Sequence, residues 1–167
     1  RRFGAESALL VNSGMSAIAV ATSALRIGRG ATILTGHQAQ PETADYLTRY
    51  VAPAGVKIVR VPAGRAEPVL EALQTLRPHL ALFETASTGP VSEVPSRIEA
   101  WFEAPPETLF VIDNTVQSLL TPWFSMDRAP GRRLLVVEDA SRYLCHRAMA
   151  GLLYGPAALL APLRDLA

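Results

Sequence analysis

The sequence predicts an α/β fold, a single domain over residues 1–167 in three layers, with a mainly parallel sheet covered by helices on both faces. Runs such as "LALFET" and "TLFVIDNT" are apolar almost throughout, as strands buried on both faces must be. Helix-sized segments of small and apolar residues separate these runs. The polar residues Glu84 and Thr85, Asp113 to Thr115, and Glu138 to Ser141 follow them, at the strand ends where ligands collect in open sheets.

Taken in order, "SGMSAIAVATSALRI" (Ser13 to Ile27) reads as a buried helix capped by Asn12 or Ser13. The "GRG" at Gly28 to Gly30 lies between a helix and the next strand, the wrong order for a dinucleotide fingerprint, and reads as a helix stop and turn. "ATILTG" is a strand, and "PETADYLTRYV" is a helix with Pro41 in its first turn. "VKIVRVP" is a strand, "AEPVLEALQTL" a helix and "LALFET" a strand. "PSRIEAWFE" reads as a helix, and "TLFVIDNT", "RRLLVVEDA" and "AGLLYGP" as strands, before a closing apolar helix "AALLAPLRDL". The Pro/Gly-rich "STGPVSEVP", "EAPPET" and "MDRAPGRR" are connecting loops.

Composition narrows the functional classes. Nearly half of the residues are apolar (49%) and 19% are charged, the balance of a globular domain. A formal charge of +1 gives no electrostatic footprint for nucleic acid or an anionic membrane. No apolar run reaches the roughly 18 residues of a membrane span, and "RRFGAESALLVNSG" has no signal-peptide core. A lone cysteine, Cys145, supports no disulfide framework, so the expected compartment is the cytoplasm. His37, His79 and His146 lack metal-ligand spacing, and neither a G-x-S-x-G elbow nor a Walker loop is present. Of the 16 basic residues, only Lys57 is a lysine.

Two motifs carry chemistry. "VNSGMSAI" puts a polar turn with a glycine before a helix, an arrangement that serves either as an N-cap or as a phosphate cradle of backbone amides. "VIDNT" ends a buried strand on Asp113, which either pairs with a protonated ring nitrogen or caps the next segment.

The blocks "NSGMSAI" (Asn12 to Ile18), "ILTGHQAQPETADYL" (Ile33 to Leu47), "LFETASTGP" (Leu82 to Pro90), "VIDNTVQSLLTP" (Val111 to Pro122) and "EDASRYL" (Glu138 to Leu144) follow one another in a recognisable order. As a set they resemble the pyridoxal-phosphate enzymes of cysteine and methionine metabolism: cystathionine gamma-synthase, cystathionine lyase and methionine gamma-lyase. The resemblance implies the large cofactor-binding domain of a fold-type I transferase, with pyridoxal phosphate as cofactor. By this likeness Ser13, Gly14 and Met15 hold the phosphate through their amides, and Ser141 adds a contact. Asp113 keeps the pyridine nitrogen protonated, so that the ring acts as an electron sink, and Thr115 supports the ring.

Four positions depart from the family pattern. Its ring-stacking aromatic falls at Gln40, its asparagine near the cofactor's phenolic oxygen at Thr88, and a phosphate-binding serine at Asp139. Its Schiff-base lysine falls at Arg142. A guanidinium stays charged and forms no Schiff base, so covalent cofactor binding is not expected. Lys57, at the start of a strand, is at the wrong end of the sheet to replace it.

The family's first segment, with a tyrosine and an arginine that reach the neighbouring subunit's phosphate, and its small C-terminal domain have no counterpart in these 167 residues. The expected function is therefore a degenerate domain serving as a scaffold or interaction module, with copies of itself or other domains of a longer polypeptide as partners. The alternative is a carbon–sulfur lyase or γ-replacement transferase, complete only in a longer chain or with a partner.

Overall fold

The computed structural model describes residues 2–24, 27–85, 105–115, 133–140 and 149–166. They build a 7-stranded sheet in the order β1-β7-β6-β5-β4-β2-β3. Strands β2 (Thr32–Gly36), β3 (Lys57–Val61), β4 (Leu80–Glu84), β5 (Leu109–Asp113) and β6 (Leu134–Asp139) run parallel. Strand β7 (Gly151–Gly155) is antiparallel both to β6 and to β1 (Ser7–Val11) at the edge.

The continuous apolar runs have the expected cause. Every residue of β4 and β5 is buried, because successive side chains point to opposite faces and both faces are covered. Leu80, Leu82, Leu109, Val111, Leu135 and Val137 meet helix α1 (Gly14–Ala24) and its neighbours on one face. Ala81, Phe83, Phe110, Ile112, Leu134 and Val136 meet Val69 and Leu73 of α3 (Ala66–Leu76) on the other. The three layers follow from this alternation.

Helix α2 (Pro41–Tyr46) passes into a π turn (Leu47–Val51) and a 3-10 turn (Ala52–Ala54), ending on Gly55 at φ 87°. Leu47 and Val51 belong to the α1 face. Thr22 of α1 lies 2.7 Å from the Tyr46 hydroxyl and donates to the Ile18 carbonyl, which ties α2 to α1.

Three points differ from the sequence reading. Strand β1 was not anticipated: its residues are half-buried or exposed up to Val11, and among the described residues it pairs only with the distant β7. The closing helix is α only over α4 (Ala157–Leu160) and continues as a 3-10 helix (Ala161–Leu166). Pro162 has no N–H to continue the α ladder there. The first helix is described to Ala24, short of Ile27. The helix expected at "PSRIEAWFE" lies outside the described residues.

Candidate functional site

The chain changes direction at β2. The connection from β2 to β3 passes through α2 toward the α1 face, while that from β3 to β4 passes through α3 on the other face. Open α/β sheets place their ligands at the carboxyl ends of their strands, and polar groups gather at that edge. The backbone N–H of Gln40, just ahead of α2, donates to both carboxylate oxygens of Glu84 at the end of β4, at 2.7 and 2.8 Å. The Gln40 side chain turns toward β5, with Nε2 donating to Thr115 Oγ1 at 3.4 Å.

Glu84 is buried, so its charge-assisted bond contributes more than an exposed contact. Replacing Glu84 by alanine is expected to cost about 2 kcal/mol of stability, because it strands a buried N–H; glutamine, which keeps one acceptor, should cost about half as much. Urea denaturation of both variants checks this, and equal losses would contradict it.

The start of α1 is the second component. Ser13 Oγ accepts the Ser16 N–H at 3.0 Å, so Ser13 rather than Asn12 is the cap. Gly14 N–H points to Asp139 Oδ2 on β6 at 3.5 Å. A Cβ on Gly14 would lie 2.8 Å from Thr115 Cγ2 and 3.3 Å from Asp139 Cβ, so any larger residue there would force Thr115 to shift. Met15 receives a long contact from Thr43 Oγ1 of α2 at 3.9 Å.

The third component is a set of carboxylates at the carboxyl ends of the strands, Glu84 and Asp113 toward the α1 face and Glu138 toward the α3 face. Asp113 stands directly beside Glu84 in the β4–β5 register and is buried. Its Oδ1 accepts the Thr115 N–H at 2.9 Å, the local capping role that its sequence position allows. Glu138 is buried and accepts from Asn114 Nδ2 at 3.2 Å. All the buried charged groups among the described residues are acidic.

Of the residues singled out from sequence, Ser13, Gly14, Met15, Gln40, Asp113, Thr115 and Asp139 come together at this edge. Thr88, Ser141 and Arg142 lie outside the described residues. Lys57 is exposed at the first position of β3, on the opposite edge of the sheet. Gly151 was not singled out, although a glycine opening an apolar strand is a sign of close backbone approach. A Cβ there would overlap the Ser13 carbonyl.

The amino edge holds a separate cavity of about 290 Å³, lined by Ile27, Pro78, His79 and Leu109 together with Arg77, Glu107 and Arg133. Glu107 engages both arginines, pairing with Arg77 through its carboxylate and accepting from Arg133 through its carbonyl. Among the described residues no group of acidic, histidine or cysteine side chains is placed to hold a metal ion, and no helix is long and apolar enough to cross a membrane.

Fold and edge together define a three-layer α/β domain whose polar groups converge at the carboxyl ends of β4, β5 and β6, beside a helix N-terminus. Many solved structures share this fold, two of them at high similarity. A cystathionine gamma synthase from Xanthomonas oryzae pv. oryzae, in complex with aminoacrylate and cysteine, is similar at a TM-score of 0.80 with 22% identity. A MetB from Corynebacterium glutamicum is similar at 0.79 with 20% identity. Each comparison covers 98% of this chain but only 41% and 43% of those proteins, so the chain spans about two fifths of their length. The profile of the Cys/Met metabolism PLP-dependent enzymes matches residues 3–154, and the chain belongs to that family. No curated protein matches it.

Proposed function

We propose that this chain is the large-domain core of a family member that has lost covalent pyridoxal-phosphate catalysis and serves as a scaffold or interaction module. The observation that carries the reading is Arg142, at the position of the family's Schiff-base lysine. Arginine is permanently charged and supplies neither the amine nor the proton transfers that such chemistry requires. The only lysine, Lys57, begins β3 at the far edge of the sheet.

The cofactor also fits poorly at its phosphate end. The Gly14 amide already faces the Asp139 carboxylate, and a phosphate dianion placed there would meet that negative charge at short range. Asp113 suits a protonated ring nitrogen, whereas the departures at Gln40, Thr88, Asp139 and Arg142 touch ring stacking, the phenolic oxygen, the phosphate and the Schiff base. The role of the domain then lies in contacts with further copies of itself or with other domains of a longer polypeptide, in the cytoplasm.

The test is incubation of the full-length protein with pyridoxal phosphate, followed by borohydride and mass spectrometry of the peptides. No reducible adduct is expected. An adduct on any residue, or steady release of sulfide, ammonia or keto acid from sulfur amino acids, would overturn the reading and favour an active lyase or γ-replacement enzyme.

A further inference from the structure

We infer that Asp139 is a built-in anion that takes the place of a ligand phosphate at the start of α1 and so sets the specificity of this edge against phosphate-bearing ligands. The inference rests on the reading above, in which Asp139 stands where the family carries a phosphate-binding serine.

The N-terminus of an 11-residue helix attracts negative charge through its aligned peptide dipoles and unpaired amides. Helix α1 has no acidic residue in its own first turn. Its neighbouring anion comes instead from β6, far along the chain, as Asp139 Oδ2 at 3.5 Å from the Gly14 N–H. Two donors further into the turn have local acceptors: Ser16 N–H bonds Ser13 Oγ and Ala17 N–H bonds the Ser13 carbonyl, each at 3.0 Å.

Space is limiting as well as charge. The Cβ position above Gly14 is 3.3 Å from Asp139 Cβ, 3.4 Å from its Oδ2 and 2.8 Å from Thr115 Cγ2. A phosphate on the Gly14 amide would have to occupy the volume that Asp139 fills. Carboxylate and phosphate are therefore mutually exclusive at this turn, and the carboxylate, being covalently part of the chain, is present at a high effective concentration. The helix start is completed by the chain itself, with no cofactor required.

The experiment uses inorganic phosphate as the probe, titrated against chloride at matched ionic strength and followed by thermal unfolding of the full-length protein. The wild-type protein should show no saturable stabilisation. Asp139→Ser should unfold at lower temperature without phosphate and regain stability saturably with it, with phosphate affinity raised about tenfold or more. Asp139→Asn keeps the shape and an acceptor for Gly14 but removes the charge. It should stay near wild-type stability without phosphate and gain phosphate affinity only in part, less than Asp139→Ser, because asparagine fills the same volume but no longer repels the anion.

Saturable stabilisation of the wild type by phosphate would overturn the inference, as would folded serine and asparagine variants that gain nothing. If the serine variant folds only in phosphate, that result supports the inference; if it never folds, the asparagine variant decides. A borohydride-fixed adduct in the wild type would instead defeat the loss-of-catalysis reading, whatever inorganic phosphate does.

Discussion

Gly151→Ala is expected to destabilise the domain by about 3 kcal/mol or more, the upper part of the range for overpacking. A Cβ at this position would overlap the Ser13 carbonyl and stand 2.8 Å from the Gly14 nitrogen. Backbone atoms cannot rotate away as a side-chain tip can. Gly151 is also paired with Val11 on one side and Asp139 on the other. Relief thus requires either β7 to leave its register or the Ser13–Gly14 turn to move from the sheet. The second route would pull α1 away from Asp139, so the substitution should disturb the candidate site together with the fold. For a domain of this size the loss corresponds to a melting point lower by roughly 6–12 °C. Calorimetry or circular dichroism reads it directly, and a shift within a degree or two would contradict the close approach of β7 to the helix start.

Phe110→Ala should cost about 3–5 kcal/mol, the usual penalty for emptying a large buried aromatic site. Phe110 is 1% exposed on β5, between β4 and β6, and shares its face with Phe83, Ile112, Leu134 and Val136. The surrounding side chains stand on paired strands, which cannot collapse far into the gap without breaking register. Phe110→Leu, which keeps most of the volume, should lose much less. Urea denaturation of both proteins separates packing from backbone effects. A loss below about 1 kcal/mol for the alanine variant would mean that the site repacks freely, contrary to the two-sided burial of β5.

Much of the architecture was legible in the linear sequence because burial on two faces leaves a one-dimensional mark. "LALFE", "LFVID" and "LLVVED" are unbroken apolar runs, and they are strands β4, β5 and β6. "AEPVLEALQTL" has a helical pattern, and α3 spans those same residues. Edge strand β1 leaves no such mark, since Ala8 and Leu10 are exposed while Ser7 and Leu9 are half-buried. Its partner β7 is adjacent in space and remote in sequence, and such pairing has no local signature.

The candidate site was legible to a similar degree. Gly14, Asp113 and Asp139 stand out as strand-end or helix-start residues, and the family pattern marks Gln40 and Arg142 as departures. What the sequence by itself determined is chemical identity. The chain holds a single lysine, Lys57, and its resemblance to the family sets Arg142 and Asp139 where a lysine and a serine are expected. Only the tertiary structure decided which groups meet: Glu84 with the Gln40 amide, Gln40 with Thr115, and Asp139 with Gly14. Those contacts join residues from different strands and helices. Their distances depend on how β4, β5, β6 and α1 pack together, and packing at that range is a property of the whole folded chain.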